Sequence, residues 1–310
     1  MSWTTATDFS GQAPNRPVIF GEVLFDCFDD MQVPGGAPLN VAWHLHALGW
    51  NPLIISRVGN DEAGRKIVTH MRDWGMDTGG IQHDMQYPTG RVEVTMDGES
   101  HTFDILADQA YDFIEPEAVQ DAVNPQQCGI LYHGSLALRG KSRNALTRLL
   151  DTVEAPVFLD INLRDPWWEK EDVLGMIRRT NILKLNDDEF ELLNPGPFKV
   201  SSLEESAQKA VSEWELDILW LTEGEKGALC CSGGVDVLRV QPDDRDVSVV
   251  DTVGAGDSFS AAVIGGFLKG SGVDETAKCA TALAARICGR QGATTTDMSL
   301  YQGLEAVTND

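Results

Sequence analysis

Positive charge is what this chain has least of. Its 24 lysines and arginines face 48 aspartates and glutamates, a formal net charge of −24 at neutral pH. Such a surface repels a phosphate backbone and an anionic bilayer alike, so neither nucleic acid nor membrane is an expected partner. Long apolar runs are also missing: none approaches the ~20 residues that span a bilayer. Residues 1–17 are polar and lack the basic start and apolar centre of a secretory signal, which points to the cytoplasm. The six cysteines are scattered, with no Cys-x-x-Cys pair and no histidine at zinc spacing, as expected for free thiols in a reducing compartment. A Gly-x-Gly-x-x-Gly after the first apolar run is absent too, which removes the simplest dinucleotide-binding reading.

What remains is a chain of 310 residues, enough for one large α/β domain with an appendage or for two domains. Residues Val18 to Phe25 read as one buried strand ending at Asp26, whose carboxylate then emerges at a strand's C-terminal edge or serves only in a turn. Gly35 and Gly36 lead into a helix closed by Gly49. Glycines let backbone approach a ligand, and Asn40 in the first turns offers both a donor and an acceptor, which suits a sugar hydroxyl. His44 and His46, two residues apart, face different sides of that helix and make no metal pair. Residues 52–58 read as a strand and the segment up to Gly75 as a helix, which is the rhythm of a doubly wound parallel sheet.

That rhythm breaks at Thr89 to Met96 and His101 to Leu106, two strands joined by a tight turn at Asp97-Gly98. Such a hairpin within an α/β pattern is a candidate lid, formed by roughly 26–34 and 77–111, and Arg91 on it either brings positive charge over a ligand or, as the default for such a residue, forms an exposed salt bridge. Gly140-Lys141-Ser142 ends like a P-loop, but Gly134 lies one residue too far upstream to wrap phosphates. Residues 155–163 form a strand that delivers Arg164, a bidentate, permanently charged group suited to phosphate, just before Trp167 and Trp168. Asn186 and Glu189 open a helix where acidic residues also favour the dipole. Residues 217–221 form a strand running into Thr222-Glu223-Gly224, with Glu223 and Glu225 facing solvent.

The stretch with most chemical content is Asp251-Thr252-Val253-Gly254-Ala255-Gly256-Asp257, followed by a helical run of small residues. Val247 to Val250 before it reads as a strand. A glycine-rich strand-to-helix turn gathers N–H groups at the positive end of a helix, and a carboxylate beside it can take a proton from a hydroxyl. From spacing alone, an ordinary turn capped by Asp257 fits as well.

Taken together, Gly254-Ala255-Gly256-Asp257 and Gly35-Gly36-Ala37-Pro38-Leu39-Asn40 resemble the two signatures of the ribokinase-like (PfkB) carbohydrate kinases. Asn162-Leu163-Arg164-Asp165-Pro166-Trp167-Trp168 resembles a segment of bacterial fructokinases in particular. The resemblance covers nearly the whole chain in order. It implies an α/β fold with a mostly parallel doubly wound sheet, a small β-sheet lid, and one kinase domain across residues 1–310. The implied reaction is ATP-dependent transfer of a phosphoryl group to a sugar hydroxyl, with D-fructose giving fructose 6-phosphate. Asp257 would act as base, with Gly254, Ala255, Gly256 and Arg164 around the phosphoryl group. Asp26, Gly35, Gly36 and Asn40 would hold the sugar, and Asn186, Thr222 and Gly224 the nucleotide. The resemblance also implies Mg2+ held by Glu189 through water, a monovalent cation such as K+ at Asp251, and a homodimer through the lid. Thr294 to Asp297 departs from the commoner family ending, which weakens the cation assignment. The alternatives are 2-keto-3-deoxygluconate or another ketose as acceptor, which for a sugar acid needs a lid cation and leaves Arg91 as the candidate, or a sugar- and nucleotide-binding regulator without catalysis.

Overall fold

The computed structural model describes residues 16–27, 31–97, 100–193, 202–233, 237–242 and 247–309. The hairpin turn at Gly98 and residues 1–15 lie outside them. In chain order the elements are β1 (Arg16–Phe20), β2 (Leu24–Cys27), β3 (Gln32–Gly35), α1 (Ala37–Ala47), β4 (Leu53–Gly59), α2 (Glu62–Asp73), β5 (Ile81–Asp84), β6 (Gly90–Asp97) and β7 (Ser100–Ile105). There follow α3 (Pro116–Ala122), β8 (Cys128–Gly134), α4 (Ser142–Thr152), β9 (Val157–Asp160), α5 (Lys170–Ile177), β10 (Ile182–Asn186), α6 (Asp187–Leu193) and α7 (Leu203–Glu213). The chain closes with β11 (Ile218–Thr222), β12 (Ala228–Ser232), β13 (Val237–Val240), α8 (Ala255–Lys269) and α9 (Val273–Cys288).

Among the described residues the strands form one nine-stranded sheet, in the order β13-β12-β11-β10-β9-β8-β1-β4-β5, and one four-stranded sheet, β3-β2-β6-β7. The large sheet is parallel from β11 to β5 and antiparallel only at β12 and β13. Period-two alternation along its strands sorts the core into two layers. Ile19, Ile54, Tyr132, Phe158 and Trp220 pack with residues of α1, α2, α8 and α9. Phe20, Ile55, Leu131, Leu159 and Leu219 pack with residues of α3 to α7. The first strand lies between β8 and β4, so the strand order reverses beside it. Ligands of open α/β sheets bind outside the carboxyl ends at such a reversal.

Three expectations change. Residues 18–25 are not one strand: β1 stops at Phe20, Gly21 takes φ 151°, and the chain leaves the large sheet to start the small one at Leu24. A side chain at Gly21 would meet Pro38 Cγ at 2.5 Å, so the break needs glycine. Asp26 is therefore a residue of the small sheet, and Glu22 takes its expected place at the carboxyl edge of β1. The small sheet comprises residues 24–27, 32–35, 90–97 and 100–105, whereas residues 81–84 pair with β4 in the large sheet. Finally, residues 247–250 form no strand. The sheet edge ends at Val240, and Val250 and Asp251 are held instead by donating to the Cys288 carbonyl.

Candidate active site

Two helices bring the site together. Helix α8 begins after Gly254, which adopts the left-handed conformation (φ 81°) and leaves no room for a side chain, since a Cβ would lie 2.5 Å from Ala293 Cα. Helix α1 begins after Gly36, also at positive φ (104°). Across the gap Asn40 Nδ2 donates to Asp257 Oδ2 at 2.8 Å. Burial pushes the Asp257 carboxyl up to about 6; the Asn40 bond, Lys184 and Arg164 oppose this, while Asp160 adds to it. Asp257 is thus ionised at neutral pH yet more basic than an ordinary carboxylate, which suits a general base.

The first turn of α8 supplies free donors, because an α-helix has no internal acceptor for its first N–H groups. Gly256 and Asp257 present theirs in this turn, whereas the Ala255 N–H makes a long 3.3 Å bond to the Thr252 carbonyl. Beneath Gly256 lies Lys184, whose ammonium would be 3.2 Å from a Cβ placed there. Lys184 Nζ bonds both Asp160 oxygens at 2.9 Å, and Ser260 Oγ donates to Asp160 Oδ2 at 2.7 Å. Burial works against the lysine's charge, but the Asp160 carboxylate holds its pKa above the usual value. A buried ion pair therefore sits under the turn expected to hold phosphate. The sequence carries the signal, a lysine inside the apolar strand Ile182-Leu183-Lys184-Leu185, although the motifs do not single it out.

In the small sheet, Asp26 faces the glycine pair, its Oδ2 only 2.4 Å from where a Gly35 Cβ would be. Burial raises Asp26 to about 6 against the attraction of Arg164. Arg164 is exposed, and its charge opposes the rise of Glu22, Asp26 and Asp257 alike. Glu22, missed by motif reading, is 6 % exposed. Burial pushes it to about 7, its own N–H and that of Ala37 oppose the rise, and Asp257 adds to it. Arg91 lies elsewhere. It is paired with Phe25 in register, one residue out of phase with Asp26, so it stands on the opposite face of the small sheet, where the Cys27 thiol, Glu93 and Asp61 raise its pKa. Strand alternation thus removes it from over the site.

Asn186 and Thr222 are direct neighbours at the carboxyl ends of β10 and β11. Gly224 follows at φ 57°. Glu225 is exposed as expected, but Glu223 is drawn in by an ion pair with Arg239. Glu189 is buried with both oxygens engaged, Oε1 accepting from Leu163 N–H at 2.8 Å and Oε2 from Asn186 N–H at 2.9 Å. It thereby ties the Arg164 loop to the start of α6. Asp251 accepts from Val253 N–H and Gly292 N–H, each at 3.0 Å. His44 is buried between Tyr301 Oη (2.8 Å) and the Ala293 carbonyl (2.9 Å), and burial lowers it to about 4, a packing role. Gly140, Lys141 and Ser142 pack on residues 111 and 112, so the P-loop is rightly rejected.

The model of the pfkB family of carbohydrate kinases matches residues 2–299. The chain belongs to that family. A pfkB relative named probable fructokinase-5, from Arabidopsis thaliana, is 30% identical over 302 residues, covering 89% of this chain and 91% of that protein. The crystal structure of a sugar kinase from Pyrococcus horikoshii in complex with ATP superposes with TM-score 0.78 at 26% identity, over 94% of this chain and 99% of that one. A Vibrio cholerae fructokinase bound to fructose, ADP and a calcium ion gives TM-score 0.78 at 25% identity, over 93% and 98%. The protein is accordingly a sugar kinase of the pfkB family with the ribokinase-like fold, a large parallel sheet beside a small separate one.

Proposed function

We propose that this kinase transfers the γ-phosphoryl group of ATP to D-fructose, giving fructose 6-phosphate, within one catalytic domain whose small sheet closes as a lid. The observation that carries the reading is the 2.8 Å Asn40–Asp257 hydrogen bond, which joins the helix of the sugar signature to the helix of the phosphate signature. Asp257 takes the proton as the acceptor hydroxyl attacks. Gly254, Ala255 and Gly256 N–H groups and Arg164 stabilise charge on the transferring group, the Ala255 N–H turning from Thr252 to do so. Asp26, Gly35, Gly36 and Asn40 receive the sugar; Asn186, Thr222 and Gly224 receive the nucleotide. Fructose is favoured over a sugar acid because the acceptor side gathers Glu22, Asp26 and Asp257 around the single Arg164, while Arg91 stands on the far face.

Among the described residues, no three His, Cys, Asp or Glu side chains cluster to hold a metal ion. Mg2+ would therefore arrive on the nucleotide phosphates, with Glu189 and Asn186 reaching it through water, and it would neutralise phosphate charge. Asp251, beside the Gly292 turn, is the position for a monovalent cation. A homodimer through the lid is checked by light scattering.

The test is ADP release with ATP and Mg2+ over fructose, glucose, ribose, 2-keto-3-deoxygluconate and adenosine. Fructose-dependent release, reduced about 100- to 10,000-fold in Asp257→Asn, is the expected result. Turnover of the keto-acid without fructose, or an Asp257→Asn enzyme as fast as wild type, overturns the substrate or the base respectively.

A further inference from the structure

Glu22 occupies the three-residue crossover from the large sheet to the small one. Gly21 is pinned by its N–H to the Ile55 carbonyl at 3.1 Å, and β2 begins at Leu24. The glycine pair packs directly on this crossover: a Cβ at Gly36 would lie 2.7 Å from the Glu22 carbonyl oxygen and 3.2 Å from its Cγ. Helix α1 has no side-chain cap at Gly36 and no acidic residue in its first turn. An acceptor for its N-terminus comes from outside, because the Ala37 N–H is directed at the Glu22 carboxyl, an interaction that opposes the rise of its pKa. The next turn of the same helix carries Asn40, which holds Asp257. Glu22 Oε2 is buried without a hydrogen-bond partner among the described residues, as are Asn40 Oδ1 and the Tyr132 hydroxyl. An unpartnered carboxyl oxygen at this position is costly in the folded state unless it carries a proton or gains a partner.

We propose that Glu22 is a positioning residue for phosphoryl transfer, seating the glycine pair and the first turn of α1 as a neutral carboxyl group, and so fixing how Asn40 presents Asp257 to the acceptor hydroxyl. The groups facing it are Asp257 of α8, Arg164 after β9, Tyr111 after β7, Tyr132 of β8 and Arg139 before α4. Arg139 is already held by Asp112 in a buried ion pair, and Tyr111 and Tyr132 are driven further toward their neutral forms by burial. Arg164 acts on both Glu22 and Asp257, while Lys184, which also acts on Asp257, is already bound to Asp160. Once Glu22 ionises, a second negative charge stands beside Asp257 and the incoming phosphates. With burial holding Glu22 near 7, and Asp257 near 6, the window in which Asp257 is charged and Glu22 is neutral lies between those two values.

The inference rests on phosphoryl transfer and not on fructose as acceptor, so it is tested with whichever sugar the wild type phosphorylates fastest. The kcat/KM pH profile is measured for wild type, Glu22→Gln and Glu22→Leu. Wild-type activity is expected to fall above about pH 7. The permanently neutral glutamine variant keeps activity near pH 6.5 and lacks that fall. The leucine variant, which cannot accept from Ala37, loses kcat about 10- to 100-fold with the ATP KM unchanged. A Glu22→Gln profile that falls as the wild type does, an inactive but folded Glu22→Gln, or a Glu22→Leu variant with wild-type kcat overturns the proposal. Should no sugar be phosphorylated, the acceptor reading fails while Glu22 is still decided by stability. A folded-state pKa raised from the usual 4.5 to about 7 makes the native state bind the extra proton, so wild-type stability falls as pH rises from 4.5 through about 7, and Glu22→Gln removes the slope. Equal slopes for the two proteins overturn it.

Discussion

Asp257 owes its working state to opposed neighbours. Burial and Asp160 favour its protonated form, and the Asn40 amide, Lys184 and Arg164 favour the carboxylate. Replacing Asn40 by Ala removes a donor to the charged form, so the carboxyl pKa must rise and the acid limb of kcat/KM must move to higher pH, from a starting point near 6. A pH–rate profile of Asn40→Ala with an unmoved acid limb would mean that the 2.8 Å bond does not govern the base. At this scale the sequence was readable wherever function coincides with a local pattern. Asp257 follows its glycines, and Asn40 follows its own pair. Glu22, Asp160 and Lys184 follow no such pattern. Lys184 and Asp160 sit within and at the end of apolar strands and depend on each other across 24 positions, and Glu22 lies in the crossover after β1, where it meets the Gly36 start of α1. Arg91 is exposed, as one of its two readings has it, and does not stand over the site. Its charge was legible, but the face of the strand it occupies is set by pairing with β2.

The elements under the phosphate turn set a second expectation. Strand β10 brings Lys184 against Asp160 at the end of β9, both nearly inaccessible, and Ser260 of α8 closes the pair from above. Lys184→Met leaves Asp160 buried and unpaired, at a cost of about 3–5 kcal/mol. Urea denaturation measures it, and the additional change Asp160→Asn should recover part of the loss by removing the stranded charge. A Lys184→Met protein as stable as wild type would show that water reaches Asp160. Strand identities were legible here where buried parallel strands read as apolar runs, as in β9 and β11. Where two strands of different sheets are contiguous in sequence, that same signal fuses them, which is why the Gly21 break between β1 and β2 escaped notice. Residues 247–250 illustrate a further limit. Val249 and Val250 have strand-forming side chains, yet with the edge of the sheet already ended at Val240 no backbone partner is available, and both are exposed.

Over the whole molecule, a net charge of −24 opposes the approach of an anionic nucleotide. Two cations lie near the α8 turn: Arg164, exposed and acting on Asp257, and Lys184, the latter already matched by Asp160. Long-range repulsion is screened by salt far more than the short-range contacts of the bound state, since the Debye length shrinks from about 30 Å at 0.01 M to about 10 Å at 0.1 M. Raising ionic strength over that range should therefore lower the KM for ATP, in contrast to enzymes whose basic clefts steer nucleotides and bind them more weakly in salt. Choline chloride is the suitable salt, because potassium could occupy the Asp251 position and alter turnover by another route. The KM for the neutral sugar serves as the internal control and should stay constant. An ATP KM that rises with choline chloride would mean that the field at the mouth of the site is positive despite the acidic surface, and that the basic residues beside the nucleotide strands, rather than the net charge, set the encounter.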